Sequence, residues 1–333
     1  MTLIPVQDAT KHAERLVKIF DEIKVDREER AGVDRGVMSL REILQELANP
    51  GDPNDPLVIR RHVAGAGIHD LSAKICAVWD RLPTKRELIT PHLRLLAQTY
   101  YVGQNEANPR WDRIDGVPRE HGAADKVVEL YWGCLCLLAG LDVELDDPVE
   151  SSHGKNPDVI AIASDKTVWS FALKTLSKTE NAANVPKNLL ANINKGMEQV
   201  TASRANKGFV VVNAKNIIDH ESLRLQGPYH TWQEANARLS QQLQIVLDTF
   251  YRDETAGIDQ TFNAGGVLAP IFVLVAHSAV LGYPPESNRP VWIEVRTMIA
   301  PNLPGPALPS PGSFGAEALG FAADLNHMMQ TII

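Results

Sequence analysis

The feature that most limits what this chain can fold into is a strand–helix–strand run in its second half. Residues 168–174 (Val-Trp-Ser-Phe-Ala-Leu-Lys) read as a strand, residues 186–204 as a helix and residues 208–213 as a further strand. Pro186 suits the first turn of the helix, where a missing N–H costs nothing. Leu189, Ile193, Met197 and Val200 give that helix one apolar face. The run Gly-Phe-Val-Val-Val-Asn at 208–213 is apolar without alternation, as in a strand buried on both faces of a sheet. Two strands joined in this way imply a right-handed parallel crossover.

The flanking sequence extends the pattern. An apolar helix is expected over 123–140, with Gly140 as its C-terminal cap. Strands follow at 141–145 and 158–162, and the short turn Ser164-Asp165-Lys166 makes a hairpin with the strand at 168–174. Beyond the crossover come a helix over 232–252, strands over 270–277 and 290–298, and a closing helix over 314–332. The expected fold is α/β, a mixed central sheet flanked by helices. Residues 1–120 read as a helical N-terminal region. Ala13, Leu16, Val17, Phe20 and Ile23 recur at three- and four-residue steps, and further helical patterns cover 39–47, 70–82 and 88–101. Residues 103–121 are polar and read as a loop into the second half, residues 121–333.

Composition narrows the class. With 333 residues, 44% of them hydrophobic and 22% charged, the chain can bury a sizeable core. A formal net charge of -8 argues against a surface coated in positive potential, though a local basic groove can still steer a polyanion. Cys76, Cys134 and Cys136 form no ligand pattern and no even disulfide set; the Cys-x-Cys pair lies in an apolar run and reads as core. That usage fits a reducing cytoplasm. No secretory leader is evident at the N-terminus, and no apolar stretch reaches the roughly 18 residues of a membrane span, so no membrane partner is expected.

The chemistry concentrates between residues 142 and 179. Asp158 follows Pro157 at the head of one strand, and Lys174 sits near the end of the next. Residues two apart on a strand share a face, so Ser170, Ala172 and Lys174 point the same way and Lys174 can meet Asp158 across the hairpin. Hydrolysis of a phosphodiester needs a hard cation held by oxygen ligands, and Asp158 with a backbone carbonyl near Leu173 can offer two. A lysine beside the metal can orient the attacking water or offset charge on the phosphate. A salt bridge that only pins the hairpin is the plainer alternative, and an expensive way to gain stability if it is buried.

Helix, three strands, helix, strand, with Pro157-Asp158 and Ala172-Leu173-Lys174 on the second and third strands, resembles the PD-(D/E)xK nuclease superfamily over residues 123–216. The resemblance implies a restriction-endonuclease-like core in a domain spanning 121–333, and a Mg²⁺- or Mn²⁺-dependent endonuclease acting on nucleic acid, DNA favoured. Restriction or anti-phage defence is implied only as a common role of such enzymes. Asp158, the Leu173 carbonyl and Glu129 would hold the metal, and Lys174 would assist the water.

Ala172 departs from the pattern, which carries Glu, Asp or Gln there as a second ligand. The acid was replaced to disable an enzyme, or it migrated to another element, or the domain is a natural non-catalytic descendant serving as a nucleic-acid-binding or complex-assembly subunit. For migration the resemblance offers Glu129, on the helix before the first strand, where an exposed position early in that helix is an equal alternative, with Glu144 and Asp146 as weaker candidates. Nucleic acid would meet Lys155 and Asn156 just before Asp158, Lys178 after the third strand, and Asn188, Asn192, Lys195 and Gln199 on the polar face of the following helix. A solvated helix face explains that last set equally well. The N-terminal helices would bind DNA, dock a partner protein or form a homodimer.

Overall fold

A computed structural model describes residues 6–25, 32–49, 52, 54–98, 112–114, 117–119, 123–146, 148, 156–176, 182–205, 207–257, 271–283, 285, 290–300 and 314–331. Four helices lead the chain: α1 (Val6–Glu22), α2 (Gly32–Ala48), α3 (Pro56–Arg81) and α4 (Arg86–Gln98). A short antiparallel pair follows, β1 (Asp112–Ile114) with β2 (Val117–Arg119), inside the stretch expected to be loop throughout. Next come α5 (Ala123–Leu138) and strands β3 (Asp142–Leu145), β4 (Val159–Ile162) and β5 (Val168–Thr175). Helix α6 (Val185–Ala202) leads to β6 (Lys207–Asn213), and α7 (His220–Leu225) and α8 (Trp232–Asp253) lead to β7 (Ile271–Gly282). Strand β8 (Val291–Ile299) and a closing helix, Phe314–Gln330, complete the fold.

The fold is mixed α/β. Strands β3 to β8 form one sheet in the order of the chain. The β3–β4 and β4–β5 pairs are antiparallel, β5–β6 and β6–β7 are parallel, and β8 returns antiparallel to β7. Helix α6 makes the expected crossover between β5 and β6.

Alternation along the strands sends side chains into two cores. Trp169, Phe171, Phe209, Val211, Val273 and Val275 join the residues of α1–α5 and the closing helix on one face. Val210, Val212, Phe272 and Leu274 meet α6, α7 and α8 on the other. The N-terminal helices and the sheet therefore share one continuous hydrophobic cluster. Cys76, Cys134 and Cys136 are buried free thiols within it, as the apolar run around Cys134 and Cys136 implied for that pair.

Helix α3 begins fourteen residues before its expected start. Its N-terminus is well marked, because the Asp55 carboxylate accepts from the Leu57 N–H (2.8 Å) and Pro56 fills the first turn. The missing signal lies in its surroundings: from His62 to Trp79 nearly every residue is buried, glycines and histidines included. A helix wrapped on all sides has no apolar stripe to read. Among the described residues, no helix is long and apolar enough to cross a membrane.

Candidate functional site

The site is built where β4 starts and β5 ends. The Asp158 backbone N–H donates to the Phe171 carbonyl (2.9 Å), continuing the Val159–Phe171 register by one residue and setting Asp158 opposite Ala172. Past this point β4 no longer pairs with β5, which stays bonded to β6 on its other edge, and the Asp158 carboxylate takes over: Oδ2 accepts from the Leu173 N–H at 2.6 Å. The same oxygen lies 3.7 Å from Lys174 Nζ, and both side chains are 16% exposed. Lys174 Nζ also donates to the Leu173 carbonyl (3.1 Å) and to Gln199 Oε1 on α6. The Gln199 amide Nε2 donates in turn to the Asn156 carbonyl (3.0 Å). Lys174 is thus ringed by oxygens of a carboxylate, a carbonyl and an amide.

Burial is the main force on Asp158, whose carboxyl is pushed up to about 6; Lys174, the Leu173 N–H and Lys126 pull it down, and the charge of Glu129 raises it further. Glu129 is the second acid of the site. It sits on α5, buried to 4% of its side-chain area, with Oε2 2.8 Å from Lys126 Nζ and 3.7 Å from His92 Nε2. Lys126 Nζ also stands 3.5 Å from Asp146 Oδ2, just beyond β3. Helical spacing explains the first contact, since Lys126 and Glu129 are three residues apart. His92, from α4, is buried, and neither of its ring nitrogens has a hydrogen-bond partner among the described residues. Counting Asp158, Glu129 and Asp146 against Lys126 and Lys174, the named side chains carry three acids to two ammoniums.

Of the residues expected from the sequence, Asp158, Lys174, Glu129 and Leu173 come together. Ala172 is fully buried on the face that meets α6, between Ser170, which hydrogen-bonds Ser203, and Lys174. Glu144 is elsewhere: it pairs with Arg204 at 2.6 Å on the surface. Gln199 corrects the expected outward polar face. It is 5% exposed, because α6 turns it under the helix, toward Lys174, where it satisfies an ammonium rather than facing solvent. Lys195 is exposed, Asn188 and Asn192 are half-buried, and the Asn192 amide donates to the Asn188 carbonyl (2.7 Å) within the helix. Asn156 is exposed beside the site. Lys155 and Lys178 lie outside the described residues.

Sequence reading missed Lys126 and His92. The Lys-x-x-Glu spacing on α5 was available as a signal for Lys126. Nothing local marks His92, which arrives from a helix more than thirty residues upstream of Glu129.

Among the described residues, no group of three or more His, Cys, Asp or Glu side chains is arranged to hold a metal ion. Mg²⁺ does not need one: it binds through one or two carboxylates, keeps several waters and takes oxygens from phosphate. The donors present are hard oxygens, and the raised Asp158 carboxyl marks a buried charge that a cation would relieve. Both carboxylates already face lysine ammoniums, so an ion would have to compete with Lys126 and Lys174 for these oxygens. No protein-family model matches the chain, and no curated protein and no solved structure matches it either.

Proposed function

We propose that this chain is a metal-dependent nuclease with a restriction-endonuclease-like core, hydrolysing phosphodiester bonds of nucleic acid, DNA before RNA. The observation that carries the reading is the meeting of Asp158 and Lys174 at 3.7 Å, on adjacent strands, beside a second buried acid, Glu129. The order α5, β3, β4, β5, α6, β6 supports it, since this is the order in which the resemblance sets its residues.

Asp158 and Glu129 would hold Mg²⁺ or Mn²⁺, with water and phosphate oxygens completing the shell. The ion supplies positive charge at the phosphate when bound. Asp158 does two jobs: it caps the Leu173 N–H and keeps its outer lone pairs for the cation. Lys174 presents Nζ as a donor to the attacking water or to a non-bridging oxygen, and Gln199 fixes where that ammonium points. Gln199 also stands in for the acid absent at Ala172, reaching the same neighbourhood from α6 with a neutral oxygen. The exposed Asn156 and Lys195 lie on the surface a phosphate backbone would follow. A role in restriction or anti-phage defence is consistent with such an activity.

One observation favours the non-catalytic alternative, a nucleic-acid-binding subunit. Ala172 is fully buried and the Lys174 ammonium is already satisfied by protein oxygens. The two readings part in one experiment. The chain and its Lys174→Ala and Ala172→Glu variants are incubated with Mg²⁺ or Mn²⁺ and plasmid, single-stranded DNA or RNA. Cleavage by the unmodified chain that falls about 10²-fold in Lys174→Ala establishes the nuclease. Cleavage only by Ala172→Glu identifies a disabled enzyme. No cleavage by either, with binding that weakens at high salt, leaves the binding subunit.

A further inference from the structure

Lys126 has no role in the chemistry proposed above, yet its ammonium lies among the acids of the site. It is 2.8 Å from Glu129 Oε2 and 3.5 Å from Asp146 Oδ2, with only 12% of the side chain exposed. Behind Glu129, His92 Nε2 points at the same Oε2 from 3.7 Å and makes no hydrogen bond to it. A buried imidazole with both nitrogens unsatisfied marks a place where something further is held or where the carboxylate moves. Glu129 Oε2 thus has a lysine bonded to it and an unbonded imidazole nitrogen 3.7 Å away.

We propose that Lys126 is the resident counter-cation of this acidic cluster, and that a divalent ion enters by displacing its ammonium from Glu129. The proposal rests on the metal-centre reading above. In the metal-free protein the lysine offsets acids that would otherwise repel one another across a buried space. On metal entry Glu129 turns its oxygen to the ion, and the freed ammonium swings toward the mouth of the site.

The test is calorimetric titration of the full chain with Mn²⁺, using Lys126→Gln, which keeps a donor to Glu129 without the charge, and Lys126→Arg, which keeps the charge. Removing a like charge from beside the incoming ion tightens binding on the order of tenfold in Lys126→Gln, while Lys126→Arg stays at the wild-type value. Equal or weaker binding by Lys126→Gln overturns the proposal and leaves the metal-centre reading intact. No binding by any of the three proteins removes that reading and the proposal with it. A second measurement on the unmodified chain stands independently of how the variants fold. Acylation of Lys126 by an amine-reactive reagent, followed by mass spectrometry, rises when saturating Mn²⁺ is added. Unchanged acylation in protein that has bound Mn²⁺ contradicts displacement.

Discussion

Asp158 is a buried carboxyl held between the Leu173 N–H and the Lys174 ammonium. In the unfolded chain an aspartate titrates near about 3.9, whereas burial raises Asp158 in the fold to about 6. A raised carboxyl binds its proton more tightly in the native state, so its cost is absent below about pH 4, grows between the two values and is complete above about pH 6. Asp158→Asn removes the charge while an amide oxygen can still accept from the Leu173 N–H. The variant should match wild type near pH 4 and exceed it by about 1–3 kcal/mol at pH 8, a gain read from urea melts at the two pH values. Ala172→Glu should behave in the opposite way. A fully buried methyl beneath α6 leaves no room for a carboxylate unless Gln199 gives way, and thermal melts should show a loss of about 2 kcal/mol or more. Asp158 and Lys174 were legible in the sequence because a hairpin register is short-range and period two decides which residues share a face. Gln199 was legible only as polar. Which way α6 turned it depended on the packing of that helix on the sheet.

At the scale of elements, α6 and its contact with β6 set the geometry of the lysine. Gly196 lies one turn before Gln199, and a methyl group there would come within 2.5 Å of Val210 Cγ1. Gly196→Ala should therefore lift α6 from the sheet. Overpacking of this kind costs about 1–3 kcal/mol, and the shift should draw Gln199 away from Lys174. The expected signature is a lower melting temperature together with a fall in any Mn²⁺-dependent cleavage, since Gln199 and Lys195 ride on the same helix. The crossover itself was readable from residues 168–213, where a short, valine-rich apolar run without alternation fits an interior strand. The early start of α3 was not. Its glycines and histidines break the hydrophobic period, and their burial follows from helices and strands packed around them, which no local pattern records.

For the whole molecule, the N-terminal helices are tied to the sheet by buried polar contacts as well as by a shared apolar cluster. Arg296 on β8 pairs with both Asp70 on α3 and Glu294, His69 Nδ1 lies 2.6 Å from Glu294 Oε1, and Lys74 Nζ donates to the Met328 carbonyl (2.8 Å) in the closing helix. Arg296→Met leaves two buried carboxylates facing each other, and breaking such a pair costs about 3–5 kcal/mol; denaturant unfolding should show a loss of that order. A fragment of residues 121–333 would expose the part of the sheet face around β7 that α3 covers. Expressed alone, it should bind a hydrophobic dye and melt without cooperativity, whereas a cooperative transition would show that the second half folds by itself. His92 extends this to the candidate site, because the helical half places its Nε2 3.7 Å from Glu129 Oε2. The sequence displayed the two halves as different textures, helical and then alternating. The long-range pairs that join them, such as Asp70 with Arg296, are separated by more than two hundred residues and left no trace in either half.

The most direct test of the account is to measure Mn²⁺-dependent cleavage of labelled DNA at pH 8 by wild type and Asp158→Asn, with melting followed on the same samples. The account predicts a variant that is more stable than wild type and inactive, beside a wild type that cleaves. Cleavage by Asp158→Asn at the wild-type rate, or none by a folded wild type, would contradict it.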